Sequence, residues 1–262
     1  IPSRHLGLSL DEDFCFEEFA DRVAELVEKH VNINRLLELT KPVATAVVPI
    51  SAGRHTYKRE PSFPIAVACD PAFNFVYEAN IRYLHHLGEV TYFSPLADTS
   101  LPDAGFVYLP GGYPELYLAA LSANRQMLQS IRRYVESGGK LLAECGGMMY
   151  LCDEIRDKNG YVYPMAGVLH QSATMENMKL RLGYRTLLYN ETRLKGHEFH
   201  YSRLVEQQNL LPSCAVAYTA KGVETDTPLY HYKNVWAGYT HLYWADPVGN
   251  EWFTKFVIDG NT

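Results

Sequence analysis

From Ile65 onward the apolar positions fall into short continuous runs separated by longer amphipathic stretches. Ile65 to Cys69, Glu89 to Phe93, Phe106 to Leu109 and Lys140 to Ala143 read as strands. Val76 to Leu87 and Ser122 to Glu136 read as helices, the second with Ser122 as N-cap and Gly138 beyond its end. Near-continuous apolar strands alternating with helices predict an α/β fold, a parallel sheet covered on both faces, with the site built from loops at the strands' carboxyl ends. Upstream lies an extended Ile1 to Leu8. Phe16, Phe19, Ala20, Val23, Ala24 and Val27 then recur at helical spacing, and a second short helix over 33–39 is ended by Pro42. The polar, basic stretch from Ser51 to Pro64 reads as a linker. Past Asp153 the pattern turns β-rich, with strands expected at Arg181 to Tyr189, His197 to Ser202, Cys214 to Thr219 and Val235 to His241, and a closing helix from Asn250 to Val257 that returns to the sheet. The expected division is residues 1–60 and 61–262.

Composition narrows the class. With 262 residues and 47% apolar content, the chain can bury one substantial core and a smaller appendage. No apolar run reaches the length of a membrane span and no signal peptide is visible. Five cysteines without CxxC or CxxH spacing argue against a disulfide framework and a structural zinc, and for a reducing cytosol. A net charge of −6 argues against general nucleic-acid binding, which needs a basic surface. The chain begins at Ile1 inside an apparently structured phrase and reads as a piece of a longer protein.

The chemistry concentrates in Lys140-Leu-Leu-Ala-Glu-Cys-Gly-Gly-Met-Met-Tyr150. An apolar strand stops at a small-residue turn, a cysteine occupies the turn, and two glycines lead into a helix expected to begin near Met148. This is the pattern of a nucleophile elbow. It is expected to lift the thiol clear of the sheet edge near helix N–H groups that lower its pKa and can bind an oxyanion. Cys15, Cys69, Cys152 and Cys214 are expected to be small buried hydrophobes. Leu109-Pro-Gly-Gly-Tyr-Pro-Glu115 also follows a strand, so Gly111 and Gly112 with Gly146 are candidates for an oxyanion hole on the same sheet edge.

A thiol needs a base, and among ten histidines His241 stands out at the end of Val235-Trp-Ala-Gly-Tyr-Thr-His241. His5, His30, His55, His85 and His86 are read as structural. In Gly196-His-Glu-Phe-His-Tyr-Ser202, strand alternation puts His197, Phe199 and Tyr201 on one face and Glu198, His200 and Ser202 on the other. No face carries a metal triad, and the phrase is not the HExxH of zinc proteases. It reads as substrate- or interface-lining, with a structural network nearly as good an account. Lys179, Arg181, Arg185, Arg193 and Lys195 read as solvated or edge-protecting charges, with a polycarboxylate or a partner domain as the alternative facing.

With RHLGL (Arg4 to Leu8), ACDPAFNFVY (Ala68 to Tyr77), FSPLAD (Phe93 to Asp98), LPGGYPE, AECGGMMYL, GHEFHYS and GYTHLYW in order, nearly the whole chain resembles the glutamine amidotransferase domain of cobyrinic acid a,c-diamide synthases. These form the corrinoid branch of the class I, triad-type amidotransferases. The resemblance implies a three-layer, mostly parallel sheet of the flavodoxin-like type, with residues 1–60 as the tail of a P-loop-type ATP-binding domain plus linker. It implies L-glutamine as ammonia donor, cobyrinate or a related corrinoid as acceptor, and ATP and Mg2+ for the full enzyme. No cofactor is implied in this part, because no GxxxxGK[ST] phosphate loop occurs in the sequence. Cys145 is implied as nucleophile and His241 as base and later acid. Many class I relatives carry glutamate two residues after the histidine. Here Tyr243 stands there, so either a dyad suffices or Asp246 or Glu198 orients the imidazole, with His200 lining the site.

Two sets of rivals remain. Nickel-sirohydrochlorin a,c-diamide synthase or cobyric acid synthase would share the ammonia-releasing half. A cysteine hydrolase or a non-catalytic binding module would keep the elbow as architecture.

Overall fold

The computed structural model describes residues 15–40, 63–205 and 211–259. The chain divides into two compact units, Ile1–Lys58 and Arg59–Thr262. In the first, the expected helices are α1 (Phe16–His30) and α2 (Ile33–Leu39). Acidic Glu17 and Glu18 open α1 and basic Lys29 and His30 close it, which suits the helix dipole. Neither helix has a buried residue. Of the expected linker, residues 51–62 and the extended Ile1 to Leu8 lie outside the described residues, and Pro64 belongs to a strand.

The second unit runs β1 (Phe63–Ala68), α3 (Glu78–Leu87), β2 (Gly88–Phe93), β3 (Phe106–Leu109), α4 (Leu118–Ala123), α5 (Arg125–Glu136), β4 (Lys140–Glu144) and α6 (Gly146–Leu151). Short strands follow: β5 (Glu154–Arg156), β6 (Val162–Pro164) and β7 (Ser172–Thr174). The long pair β8 (Arg181–Tyr189) and β9 (Thr192–His200) precedes β10 (Arg203–Leu204), β11 (Val216–Thr219) and β12 (Glu224–Thr225). Last come β13 (Leu229–Tyr232), β14 (Val235–Gly238), β15 (His241–Leu242) and α7 (Pro247–Thr254).

Six strands form the central sheet in the order β13-β14-β4-β3-β1-β2, parallel except for β13. Read from β2, the parallel strands follow the 2-1-3-4-5 order of doubly wound sheets, which gather ligands at the strands' carboxyl ends. Strand alternation sends side chains to two cores. Ala66, Val107, Leu141 and Ala143 pack with Leu121, Met127, Ile131 and Val135 of α4 and α5; Ile65, Phe106, Leu142 and Trp236 pack with Leu84, Trp252 and Phe253 of α3 and α7. The sheet is therefore the middle of three layers. A second sheet, β12-β11-β8-β9-β15, is antiparallel, and a third has the order β10-β7-β5-β6.

Four expectations are corrected. The helix expected over 122–136 breaks at Asn124, whose Oδ1 accepts from Met127 N (3.3 Å) to cap α5 while its Nδ2 donates to Pro95 O and Asp98 O (2.8 Å each). The strand expected over 235–241 is two strands in two sheets. β14 ends at Gly238, whose carbonyl accepts from Cys145 N (2.8 Å), and the chain then crosses to pair His241 with His197. The closing helix starts at Pro247, because Asp246 Oδ1 accepts from Gly249 N (2.7 Å) as its cap. Cys152 is buried and Cys214 half-buried, but Cys15 and Cys69 are exposed.

Candidate active site

Two of the parallel strands and one cross-sheet return deliver the candidate residues. β3 ends at Pro110-Gly111-Gly112, β4 ends at Cys145, and the return from β14 delivers His241. Cys145 has φ 48° and ψ −107°, a left-handed backbone that costs a non-glycine residue about 1–3 kcal/mol. The turn is held by Cys145 N donating to Gly238 O and by Met149 N donating to Cys145 O (3.0 Å). α6 begins immediately, at Gly146 rather than at Met148. Gly147 is required there: a Cβ on it would lie 2.1 Å from Leu109 O, at the end of the neighbouring strand.

The glycine loop and the elbow abut. A Cβ on Gly146 would lie 3.2 Å from Gly112 N and 2.7 Å from Pro114 Cδ, so the two glycine backbones share one small space. Gly112 itself has φ 155° and sits on Ala72 O. His241 reaches the same segment from the other side. A Cβ on Gly111 would lie 2.1 Å from His241 Cε1 and 2.9 Å from its Nδ1. Phe75, which bridges to Gly111 across the loop, covers the imidazole with its ring centroid 4.3 Å away. Gly111, Gly112, Gly146, Cys145 and His241 are thus gathered at one sheet edge.

The thiol is not perched in solvent. Cys145 is 5% exposed and its Sγ donates to Phe199 O at 3.8 Å. Burial pushes the thiol well up, Glu115 and other carboxylates push the same way, and only the Gly146 N–H pulls down. The expected low-pKa thiolate is therefore corrected for the ligand-free protein: desolvation outweighs the helix N-terminus. His241 is shifted oppositely, down to about 3, by burial first and then by His197 and His200, against the pull of Glu198. Both shifts favour the neutral form, of the thiol and of the imidazole.

Among the described residues no carboxylate hydrogen-bonds to the imidazole. Among the described residues, buried His241 Nδ1 has no partner. Asp246 caps α7 and receives Lys195 Nζ (3.1 Å) instead. Glu198 is buried in a different network: its Oε1 meets His200 Nε2 (2.8 Å), and its Oε2 accepts from Arg185 Nε (2.5 Å) and Thr227 Oγ1 (2.8 Å). Burial pushes Glu198 up, but His200, Thr227 and Arg185 hold it below the ordinary carboxylate range. His200 stacks on Tyr239, ring centroids 3.7 Å apart and ring planes nearly parallel, and its Nδ1 meets Ser202 O (2.8 Å). Glu198 and His200 therefore brace the strand whose Phe199 carbonyl touches the sulfur.

A carboxylate unforeseen in the sequence does connect the two halves of the site. Glu144, immediately before Cys145, is buried; its Oε1 accepts from Leu242 N (3.0 Å), next to His241, and its Oε2 accepts from Tyr108 OH (2.7 Å). It fixes the returning strand against the elbow. Burial raises it to about 7, opposed by those hydrogen bonds. A charged residue ending the apolar run KLLAE was the available signal. Glu115, also raised to about 7 by burial, is a second carboxyl near the sulfur.

Among the described residues no group of His, Cys, Asp and Glu is arranged to hold a metal ion, and no helix is long and apolar enough to cross a membrane.

Residues 64–248 match the CobB/CobQ-like glutamine amidotransferase domain family. The chain is 36% identical over 256 residues to the cobyrinate a,c-diamide synthase of Picrophilus torridus, covering 93% of this chain and 54% of that protein. It is 38% identical over 251 residues to the hydrogenobyrinate a,c-diamide synthase of Pseudomonas aeruginosa, again covering 93% and 54%. The chain thus spans about half the length of the curated relatives it matches. PurLQS from Thermotoga maritima is a distant structural neighbour, 16% identical with a TM-score of 0.48 over 76% of this chain and 96% of that one. The matched span takes in the elbow, His241 and all of the central sheet but Phe63, and the chain belongs to the CobB/CobQ-like glutamine amidotransferase domain family.

Proposed function

We propose that this chain is the glutamine-hydrolysing, ammonia-donating half of an ATP-dependent a,c-diamide synthase that amidates two side-chain carboxylates of a corrin precursor such as cobyrinate. The observation that carries the reading is the convergence of Cys145, His241 and the Gly111-Gly112 backbone at one sheet edge, in a chain about 36% identical to a cobyrinate a,c-diamide synthase.

In this reading His241 takes the Cys145 proton as the sulfur attacks the amide carbon of glutamine. The tetrahedral oxyanion is met by backbone N–H groups of Gly112 and Gly146. Collapse breaks the C–N bond, His241 returns the proton to the departing nitrogen, and ammonia leaves a γ-glutamyl thioester. Water, deprotonated by the same imidazole, hydrolyses the thioester to glutamate and restores the thiol. The nitrogen lone pair then attacks an acceptor carboxyl activated as its acyl phosphate at the expense of ATP, and phosphate leaves as the amide forms. ATP and Mg2+ belong to the half of the relatives outside this chain, since no phosphate loop occurs in the sequence. Residues 1–60 are read as the tail of that half. The exposed Phe16, Leu37 and Leu39 on α1 and α2 support it, since these helices bring apolar faces without a core of their own. A cytoplasmic location goes with the same reading.

The test is to assay the protein carrying both halves with glutamine and with ammonium salt as nitrogen source. Cys145→Ala is expected to lose glutamine-dependent amidation and keep the ammonium-dependent reaction; undiminished glutamine hydrolysis in that variant ends the proposal. Hydrogenobyrinate is the second acceptor to try, because the 38% identity to a hydrogenobyrinate a,c-diamide synthase is as high as the 36% to a cobyrinate a,c-diamide synthase.

A further inference from the structure

Three loops follow β1, β2 and β3 at the carboxyl edge of the parallel sheet, and of these the third supplies the oxyanion backbone proposed above. The other two meet at one side chain. Asp70, in the turn after β1, is half-buried, and its carboxylate accepts four hydrogen bonds. Oδ1 accepts from Ala72 N (2.8 Å) and Phe73 N (3.1 Å) of its own turn; Oδ2 accepts from Ser94 Oγ (2.8 Å) and Leu96 N (3.0 Å) of the loop after β2. A carboxylate offers about four lone-pair sites, so Asp70 is saturated. The loop it grips is itself tied down: Ser94 N donates to Asp98 Oδ2 (2.7 Å), and the Asn124 amide holds the carbonyls of Pro95 and Asp98.

The turn that Asp70 fixes grips the glycine loop. Tyr113 N donates to Ala72 O (2.9 Å) and Phe75 N donates to Gly111 O (3.0 Å), so Gly112 is held from both of its neighbours. A planar trans peptide points its C=O and its N–H in opposite directions. With Gly111 O turned to Phe75, the N–H of Gly112 points away from that residue, and the elbow stands close by: a Cβ on Gly146 would lie 3.2 Å from Gly112 N. Two successive glycines do not impose this orientation themselves, because without Cβ atoms the peptide between them can rotate to the opposite sense at little steric cost. The reversed peptide would turn Gly111 O, a partial negative charge, to where the oxyanion is to form. What keeps the N–H aimed is therefore the turn beside it.

We infer that Asp70 is a positioning residue for glutamine hydrolysis: through the 70–75 turn it holds the Gly111–Gly112 peptide with its N–H aimed at the developing oxyanion. The inference deepens the function proposed above and rests on it. Asp70 spends its hydrogen bonds on its own turn and on the loop after β2, so it acts through backbone groups alone. Its removal should slow the steps that pass through a tetrahedral oxyanion and spare both the binding of glutamine and the reactivity of the Cys145–His241 pair.

Variants of the protein carrying both halves test this. Asp70→Ala is expected to lower kcat and kcat/KM for glutamine hydrolysis together, by about thirtyfold, with KM within about twofold of the parent, the pattern of an interaction made only in the transition state. Alkylation of Cys145 by iodoacetamide, followed on its own peptide by mass spectrometry, should keep its rate within about twofold, because the sulfur displaces iodide from a CH2 carbon and no oxyanion forms. Asp70→Asn keeps an oxygen for Ala72 N and Phe73 N, so its kcat should lie at least about fivefold above that of Asp70→Ala. An unchanged kcat in Asp70→Ala overturns the inference, as does Asp70→Asn no better than Asp70→Ala. A loss carried by KM, or a parallel loss of alkylation, overturns it too, since Asp70 would then hold the glutamine pocket or the Cys145–His241 pair. Should Asp70→Ala fail to fold, Ser94→Ala decides in its place: it removes one bond to the carboxylate and should show the same split at about threefold, and an unchanged kcat overturns the inference. Undiminished glutamine hydrolysis in Cys145→Ala instead overturns the underlying function, so the two failures are distinct.

Discussion

The two sheets that meet at the candidate site contribute in different ways. The edge of the parallel sheet holds Cys145 by local means: a left-handed backbone, two glycines and a helix that starts at once. The antiparallel sheet holds His241 by long-range means: a two-residue pairing with His197 and Gly196, a buried carboxylate on Leu242 N, and no hydrogen-bond partner for Nδ1 among the described residues. The difference teaches that the proposed nucleophile is built by a strand–turn–helix phrase, whereas the proposed base is aimed by everything packed around it. It also explains the opposite directions of the two shifts, since one desolvated site keeps both the acid and the base neutral.

The strongest attack on this contrast is at the nucleophile. Cys145→Ala should lower glutamine hydrolysis by at least about a thousandfold with the fold unchanged by circular dichroism, because the loss is chemical rather than architectural. His241→Asn should cost about a hundredfold to ten-thousandfold in the same assay. It should also change the acid stability, with a defined sign. The folded imidazole is depressed to about 3, so its contribution is complete above its ordinary value near 6.5 and is lost as pH falls from there. Denaturant titrations of His241→Asn at successive pH values should show a shallower loss over that window. Gly111→Ala adds a methyl group 2.1 Å from His241 Cε1 and should reduce kcat by about a hundredfold, through displacement of the ring.

A smaller effect sharpens the link between the sheets. Glu144→Ala strips the partners from Tyr108 OH and Leu242 N and should destabilise by about 1–3 kcal/mol, measured by urea unfolding. Glu144→Gln should retain most of that stability and remove one pH trend. The folded carboxyl is raised to about 7, so its contribution is present below its ordinary 4.5 and lost as pH rises through about 7, a loss the amide does not suffer. The smallest effect is expected from Asp246→Asn. Both residues cap a helix well, so stability should change by less than about 0.5 kcal/mol and glutamine hydrolysis should not change. A large loss of activity there would restore Asp246 as an orienting group.

The parallel-sheet strands, the elbow and the glycine loop were legible because each follows from near-neighbour rules. Apolar runs become buried strands, and Gly146 and Gly147 only make sense where backbones crowd. The break at Asn124 was also written locally, in a side chain that caps α5, but the apolar periodicity on either side masked it. The division of Val235 to His241 was not legible. Its run of residues suits one strand, and only the pairing partners send Gly238 to one sheet and His241 to another.

The sequence by itself determined where a cysteine nucleophile could stand and what class of sheet would present it, since backbone conformation and hydrophobic alternation are properties of adjacent residues. Only the tertiary structure decided the charge state and surroundings of that cysteine. Desolvation, the Phe199 carbonyl, the seat of the imidazole on Gly111 and the occupation of Glu198 and Asp246 elsewhere all depend on groups brought together from distant parts of the chain. Electrostatic energies follow distance and burial in space, and neither is recorded in the order of the residues.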